Sequence, residues 1–523
     1  GAESVSLEPW RRLLAMPGLG HGVVLTLLTG LGGTALAFAG AVLAVAASHG
    51  RPAARLLRWS LPGLLAVPHL ASAVGLAFLV APSGWLARLA SPWLTGWQRP
   101  PDLLTVNDPY GLALLLGLAL RECPFLILAL LAAQSHLPVG AMIAVARTQG
   151  YGRAEAWAKL VLPAIYRQIR LPLYAVLAFS LSVVDMALVL GPSAPPVLAV
   201  QLLRWFNDPD LSLRLVAAAG ALLQLLLVLM AIGAWHAAER LLARLGRRWL
   251  VAGSGRGRNR AILAAGTLAG GSTVAVGVSS LVVLLLWSAA AAWRFPAALP
   301  DRLELTSWSW AASGLAGPAA TTLLVGLLTS AAALALVLAC LEHEVQRGPR
   351  PEARVLALAY LPLLLPQIGF LFGLQVLFVR AGLDGTFLGL LWSHLVFVLP
   401  YTVLLLREPY LTLHPRWPAA GAALGSGPGR IFRRIRLPLL RRPIAVAAAV
   451  GFSVSVAQYL PTVFIGAGRL PTLTTEALGL MLGGDRRLAA VAALLLAFLP
   501  LLALAAALAV PSPRLGRDQR QAG

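Results

Sequence analysis

Polar and ionisable side chains interrupt several strongly apolar stretches of this 523-residue chain, and these groups could bind a polar solute. Arg121 and Glu122 are neighbours, so on a helix their side chains point about 100° apart and need not pair directly. Ser182 and Asp185 stand three residues apart and share a helical face. An ionisable group inside a bilayer costs roughly 2.5–3.5 kcal/mol, so such groups face protein or water. Solute binding and structural contacts between helices both fit these four residues.

A second set of polar residues follows a later apolar stretch. Gln458 and Tyr459 stand there, followed by Pro461 and Thr462. Pro461 lacks an N–H group and clashes with the preceding turn, so it predicts a kink or break that frees backbone carbonyls. The role of this second polar position is again either solute binding or helix contact.

The chain has no motif for ATP hydrolysis or for another catalytic reaction. A Walker A loop needs Gly-x-x-x-x-Gly-Lys-Ser/Thr so that its lysine reaches the phosphates, and the one lysine, Lys159, lies outside any such loop. The sequence contains no HExxH segment, and its eight histidines and two cysteines are scattered. We therefore expect no enzyme activity, no metal site and no cofactor, and any ATPase must be a separate chain.

Two basic loops repeat one pattern about 275 residues apart. Each loop has small residues, then a glycine (Gly150 or Gly425), then an aliphatic-x-Leu-Pro segment that ends 13 residues after that glycine, at Pro163 or Pro438. The glycine can end or bend a helix because it tolerates positive φ, and proline suits the first turn of the next helix. The pattern predicts two copies of a docking element for a two-fold symmetric partner. A proline-punctuated basic loop without a partner is the alternative.

The composition assigns the chain to the all-α polytopic membrane proteins. Its mean hydropathy is +0.79 and only 12% of its residues are charged, which is more apolar surface than a soluble protein can bury. The net charge of +22 comes almost entirely from arginines in loops between apolar spans. The positive-inside rule explains this charge better than nucleic-acid binding does, so we expect the bilayer as a partner and no nucleic acid.

About eleven transmembrane spans are predicted from runs near or above the roughly 20 residues that cross a bilayer. These runs are 22–48, 60–82, 111–133, 171–190, 212–235, 268–291, 319–341, 354–379, 385–406, 443–466 and 488–510.

Loop charge sets the predicted orientation, because most arginines fall in loops that alternate with less basic ones. Both repeated loops and the C-terminal tail are then cytoplasmic, and residue 1 is on the outer side. The span 268–291 has no counterpart in the first half, and residue 1 is Gly rather than Met. We expect an ancestral arrangement of six plus six spans, with a first helix missing from this sequence.

The repeat extends beyond the loops. Phe179-Ser180-Leu181-Ser182-Val183 matches Phe452-Ser453-Val454-Ser455-Val456, and Pro68-His69-Leu70 matches Pro366-Gln367-Ile368. Both halves have the same orientation once the missing helix is restored, so they form a parallel repeat. The predicted division is a first repeat at 1–240, a flexible cytoplasmic Arg- and Gly-rich linker at 241–262, a second repeat at 263–511 and a cytoplasmic tail at 512–523.

The two loops resemble the EAA motif of permeases from importer-type ABC transporters. That pattern is Glu-Ala-Ala, three residues, Gly, nine residues and Ile-x-Leu-Pro, and both copies fit its Gly and Leu-Pro positions. The resemblance covers essentially the whole chain, within the fused two-repeat branch for iron(III) and thiamine. The segments Gly466-Ala467-Gly468-Arg469 and Pro471-Thr472-Leu473-Thr474-Thr475-Glu476 resemble those of the Ynj-type inner-membrane permeases. The implied fold is that of type I importer permeases.

The loops also depart from the family motif. Its Glu position is occupied by Ala144 and Ala419, and its third position is Gly421 in the second copy, so a salt bridge from that Glu is not available. The resemblance implies that other residues contact the ATPase. The expected docking residues are Ala144, Arg147, Gly150, Arg153, Glu155, Leu162 and Pro163 in the first loop, and Ala419, Gly425, Arg430, Arg433, Arg434, Leu437 and Pro438 in the second.

The resemblance further implies that the span after each docking loop lines the central pathway. Candidate path residues are Glu122, Ser182, Asp185, Gln458, Tyr459, Pro461 and Thr462. The prolines at 192, 195, 196 and 471 are expected just outside the membrane, at an outer gate or a dock for a binding protein.

The implied protein is the permease of an ATP-driven importer in a bacterial inner membrane. Its expected partners are two copies of an ABC ATPase and a periplasmic or lipid-anchored solute-binding protein. The branch suggests a thiamine-like molecule, ferric iron or another small solute as cargo. An ion-coupled secondary transporter with two structural repeats is the alternative function, and a non-transport scaffold or membrane enzyme is a weaker one.

Overall fold

The computed structural model describes residues 6–251, 256–348 and 358–511. In the first part of the chain the helices are α1 (Glu8–Leu14), α2 (Leu19–Ser48), α3 (Pro52–Ala66), α4 (His69–Val80), α5 (Trp85–Ala90), α6 (Leu112–Gln134), α7 (Val139–Thr148), α8 (Arg153–Ala156), α9 (Leu162–Ser182), α10 (Asp185–Leu190), α11 (Leu198–Phe206) and α12 (Leu213–Val251). A π-helical turn, Trp157–Val161, joins α8 to α9.

The later helices repeat this order after one additional helix. They are α13 (Arg256–Ser288), α14 (Thr306–Gly314), α15 (Ala316–Arg347), α16 (Gln367–Arg380), α17 (Phe387–Leu411), α18 (Arg416–Ala423), α19 (Pro428–Ile431), α20 (Leu437–Leu439), α21 (Arg441–Val456), α22 (Leu460–Gly466), α23 (Leu473–Leu482) and α24 (Arg486–Ala509). Phe432–Arg436 is a second π-helical turn, and Leu361–Leu363 is a 3₁₀ turn. A short antiparallel hairpin pairs β1 (Ala290–Ala292) with β2 (Arg302–Leu303).

Helices satisfy every internal backbone group within the segment, which lipid demands of a spanning chain. Where α6 begins, the Asp108 carboxylate accepts hydrogen bonds from the first free N–H groups, those of Leu112 and Ala113, at 2.8 and 2.9 Å. Asp485 accepts in the same way from Arg487 and Leu488 at the start of α24. Side chains within the sequence therefore fix where these spans begin.

The polytopic helical architecture predicted from hydropathy is confirmed. In the described ranges, nine helices are long and apolar enough to cross a membrane, and a tenth span is a pair, Pro428–Leu439 with Arg441–Val456, bent by 76°. The eleventh predicted span, 354–379, contains the 14-residue helix α16 and begins outside the described residues. The count of about eleven was thus one higher than the spans found there.

The linker prediction needs a correction. Residues 241–251 continue α12 and residues 256–262 begin α13, so the described part of the linker is helical rather than flexible. Arginine and alanine favour helix strongly enough to extend both spans beyond their apolar segments, despite the glycines. Residues 252–255 and the tail at 512–523 lie outside the described residues.

Equivalent helices make equivalent contacts in the two halves. Helices α2, α6 and α9 pack together in the first half, and α15, α17 and α21 pack together in the second. The Thr26 hydroxyl accepts from the Leu198 N–H at 2.9 Å, and the Thr322 hydroxyl accepts from the Leu473 N–H at the same distance. The two halves therefore repeat each other in helix packing as well as in sequence.

Helix α13, which lacks a counterpart, joins the halves. By sequence it opens the second repeat, but it packs chiefly against α2 and α4 of the first half and against α24 of the second. Gly75 of α4 makes this approach possible, because a Cβ there would lie 2.9 Å from the Ser280 side chain. The repeat boundary predicted from the sequence therefore does not separate the two packed halves, because α13 contacts both of them.

Candidate docking loops and translocation path

The two docking loops have one geometry. Each consists of a short helix, a glycine with positive φ (Gly150 at +85° and Gly425 at +76°), a four-residue helix and a π-helical turn before the Leu-Pro pair. Glycine adopts such φ values without strain, which explains why both loops have a glycine at this position. A π turn at the same place in both loops was not predicted, because no residue type marks it in the sequence.

The first loop exposes part of its predicted docking surface. Ala144, Arg147, Gly150 and Pro163 are exposed, whereas Arg153 and Leu162 are partly buried. Arg153 donates to the backbone carbonyl of Gly50 at 2.9 Å, so it ties the loop to the end of α2.

Glu155 occupies the interior of this loop rather than its surface. Its side chain is 0% exposed and lies 3.3 Å from the Lys159 ammonium, which is itself 4% exposed. The Lys159 ammonium also faces the rings of Tyr151 and Trp249, at 4.8 and 5.0 Å from their centroids. These contacts assign Glu155 and Lys159 to holding the loop's shape. The sequence could not predict that these two side chains are buried, because a glutamate four residues before a lysine suits an exposed helix equally well.

In the second loop nearly all the predicted docking residues lie at the surface. Ala419, Gly425, Arg430, Arg433, Arg434 and Pro438 are exposed, and Leu437 is partly buried.

An unpredicted residue, Arg436, anchors this loop. Its guanidinium pairs with the Glu342 carboxylate near the C-terminal end of α15, and that carboxylate also accepts from the Tyr410 hydroxyl. A buried arginine among several exposed ones has no signature in the sequence.

Gly421 shows why the second loop departs from the family motif. It is buried in α18, and a Cβ at this position would lie 2.6 Å from the Ile435 side chain. The first-loop counterpart, Ala146, is also buried. The smaller residue therefore permits a closer packing of the short helix against the π turn.

His49 lies beside the first loop's anchor. Partial burial, together with the positive charges of Arg153 and Arg58, lowers the pKa of this imidazole below its usual value. The lowered pKa favours the neutral form of His49, which avoids adding a third positive charge at this point.

Both spans that follow the loops are broken at equivalent places. Helix α9 ends at Ser182 and α10 begins at Asp185, while α21 ends at Val456 and α22 begins at Leu460. Pro461 stands in the first turn of α22, so the predicted interruption there is confirmed. The first break has no proline and was not predicted.

Glu122 and Arg121 both have partners in the first half. Glu122 is buried, and its carboxylate lies 2.9 Å from the His69 imidazole at the start of α4. Arg121 donates to the backbone carbonyls of Leu65 and Val67, at 3.1 and 2.8 Å, where α3 ends. Cations suit such helix ends, because the terminal carbonyls have no partner within the helix.

Asp185 lies at the contact between the halves. Helix α10 packs against α4 and α6 and also against α23 of the second half. The partly exposed Asp185 carboxylate is near enough to the Tyr459 phenol to interact with it electrostatically. Ser182, by contrast, is buried and donates to the Ala178 carbonyl of its own helix at 2.7 Å.

The polar residues of the second break are held by a histidine that the sequence analysis did not single out. His394 of α17 lies 2.9 Å from the Ser455 hydroxyl and 3.3 Å from that of Thr462, so it connects the two sides of the break. Gln458 and Pro461 are buried beside it, and Tyr459 is partly exposed. The only clue to this role in the sequence was a single histidine within an apolar span.

Two of the four prolines predicted outside the membrane, Pro195 and Pro196, line a cavity of about 280 Å³. Pro195 and Pro196 form its wall together with Trp205 and Arg204.

Comparison with known proteins assigns the family. No family model and no solved structure matches the chain. The chain is 33% identical over 511 residues to the inner membrane ABC transporter permease protein YnjC of Escherichia coli (strain K12), an alignment that covers 96% of this chain and 90% of that protein. Full-length similarity at this level, together with the repeated loops and nine or more spanning helices, shows that the chain belongs to the inner-membrane permeases of ABC transporters, of the Ynj type.

Proposed function

We propose that this permease belongs to an ATP-driven importer. A solute-binding protein delivers a small solute to the outer face, and two copies of a separate ATPase bind the two cytoplasmic loops. ATP-driven closure of the ATPase dimer brings the loops together and rocks the halves into an outward-open state, which is alternating access. The observation that carries this proposal is the recurrence of one loop geometry, with glycines of positive φ at 150 and 425.

The loops can transmit force because each is anchored to its own half. Arg153 holds the first loop to the Gly50 carbonyl after α2, and Arg436 holds the second to Glu342 on α15. Since α2 and α15 are equivalent central helices, a movement of either loop is passed to the same place in each repeat. An ion-coupled transporter would have no need of such matched cytoplasmic elements.

The breaks at 183–184 and 457–459 are proposed to border the translocation path. Irregular backbone inside a membrane is tolerated where it is buried in protein or lines a cavity. Asp185 and Tyr459, both partly exposed, are the main candidates for contact with the solute. Glu122, Gln458, Pro461 and Thr462 support the same region from buried positions, and Ser182 stabilises the end of α9.

Substitution on the exposed face of the two short helices tests the docking proposal. In the double variant Ala144→Arg with Ala419→Arg, we expect capture of the transporter's ATPase by the purified permease to fall about tenfold or more. Ala144 and Ala419 are exposed, so a bulky cation there blocks a close-fitting partner and leaves the permease folded.

Ala312→Arg is the matched control, since Ala312 is exposed at the opposite end of the molecule. Equal capture by wild type and the double variant would place the ATPase elsewhere. If the wild type captures no ATPase with or without nucleotide, the importer proposal fails.

A further inference from the structure

Asp185 is an acidic group with an incomplete set of partners inside the membrane region. Its Oδ1 accepts from the Met186 N–H at 2.9 Å, and within the described ranges it forms no ion pair. Its side chain remains partly exposed between the halves. The Ser180 hydroxyl, one turn before the break, is 3% exposed and also lacks a hydrogen-bond partner among the described residues. A ligand with positive charge or hydrogen-bond donors would complete the partly exposed Asp185 carboxylate.

The nearby basic groups, His69 and Arg121, have partners elsewhere, and of their buried side-chain nitrogens only the Nε of Arg121 lacks a hydrogen-bond partner among the described residues. His69 is held by Glu122 at 2.9 Å, and Arg121 donates to the two carbonyls that end α3. Arg121 also lines a small cavity between α3, α4, α6 and α13, which Met186 of α10 borders. Both cations act on Asp185 only at longer range.

The second half supplies aromatic groups in place of charges. At the 275-residue offset, Asp185 corresponds to Leu460, Glu122 to Phe397 and Arg121 to Val396. Tyr459 lies within electrostatic range of Asp185, and Tyr401 lies within electrostatic range of Glu122. Negative charge on one wall and aromatic rings on the other is an arrangement that attracts cations by Coulomb and cation–π interactions.

We propose that Asp185 and Tyr459 form a cation-selective binding position in the translocation path, which takes a small organic cation with an ammonium-like or amidinium-like group. This inference rests on the proposed transport function and adds the charge class of its solute. A bare metal ion fits less well, since the described residues contain no cluster of three or more His, Cys, Asp or Glu side chains.

Charge-dependent labelling measures this selectivity without knowledge of the solute. Cys123 and Cys340 are replaced by alanine, and Tyr459→Cys is introduced in the full-length permease in nanodiscs. We expect a trimethylammonium methanethiosulfonate reagent to react several-fold faster than a sulfonate reagent of similar size. Asp185→Asn should reduce this preference by about threefold or more, because one nearby charge is lost. Asp185→Glu should retain it.

Two further arms separate site binding from general surface charge. Asp102→Asn removes the same charge from an exposed outer position and should leave the preference unchanged. Tetramethylammonium chloride should slow labelling more than sodium chloride of equal ionic strength, and only while residue 185 is acidic.

Each outcome separates this inference from the proposed function. Equal rates for the two reagents, or a preference that survives Asp185→Asn, would overturn cation selectivity, and ATPase capture would still support the importer. If neither reagent reacts in the presence or absence of the ATPase and ATP, position 459 does not face the path and the inference fails. Loss of ATPase capture alone would count against the importer and not against the cation site.

Discussion

At the scale of single residues, some charged side chains of this chain pair with a neighbour and stabilise the fold, while others remain available to bind a partner or a solute. Glu155, Glu122 and Arg436 are each engaged by a neighbour, although their sequence contexts gave no sign of it. Exposed arginines of the second loop and the Asp185 carboxylate form no comparable pairs among the described residues. Pairing depends on which helices meet, so the sequence predicted the residue types but not their roles.

The Glu155–Lys159 pair provides a prediction at this scale. Glu155→Gln should destabilise the first docking loop by about 3–5 kcal/mol, because it leaves the buried Lys159 charge without its counter-ion. The double variant with Lys159→Met should recover much of this loss. Hydrogen exchange of residues 139–165 measures the effect locally.

The control is Glu8→Gln, which breaks an exposed pair with Arg12 at the same i, i+4 spacing and should change stability by less than about 1 kcal/mol. Similar exchange in Glu155→Gln and wild type would show that the pair does not hold the loop.

At the scale of elements, glycines set how closely equivalent helices approach. A Cβ on Gly30 of α2 would lie 2.5 Å from the Leu181 side chain of α9, and one on Gly326 of α15 would lie 2.8 Å from the Phe452 ring of α21. Small residues allow such close packing between membrane helices, where van der Waals contact drives association.

Substitution of these glycines tests the repeated packing. Gly30→Ala and Gly326→Ala should each destabilise the fold by about 1–3 kcal/mol through overpacking, measured by thermal unfolding in detergent. Gly271→Ala is the control, since it lies in α13 with open space around it and alanine favours helix by about 1 kcal/mol. A stabilising effect at position 30 or 326 would mean that the helices are further apart than described.

At the scale of the whole molecule, each half packs its last long helix against the other half. Helix α24 contacts α4, and α12 contacts α16. Gly369 of α16 is so close to Ala221 of α12 that an added Cβ would lie 3.0 Å from the Ala221 Cβ. Movement between the halves must alter these crossed contacts.

A cross-link at this contact tests whether transport requires that movement. In a background without Cys123 and Cys340, Ala221→Cys with Gly369→Cys should form a disulfide once the two helices separate slightly, from a Cβ–Cβ distance of 3.0 Å to the roughly 3.5–4.5 Å that a disulfide spans. ATP-driven uptake should then fall to background and return on reduction, while ATPase capture persists. Gly373→Cys, on the same helix with nothing within 4 Å, replaces Gly369→Cys in the control pair. Full uptake by the cross-linked protein would exclude rocking at this interface.

The sequence by itself determined the class, most of the spans and the two repeated loops, because hydropathy and glycine–proline spacing act locally along the chain. From loop charge it predicts an orientation. It also located the second break, where Pro461 disrupts the helix. Tertiary structure decided that Glu155 is internal, that Asp185 meets Tyr459, that His394 joins two sides of a break and that α13 packs on the first half. These features depend on contacts between residues tens to hundreds of positions apart, and only the packing of helices sets those distances.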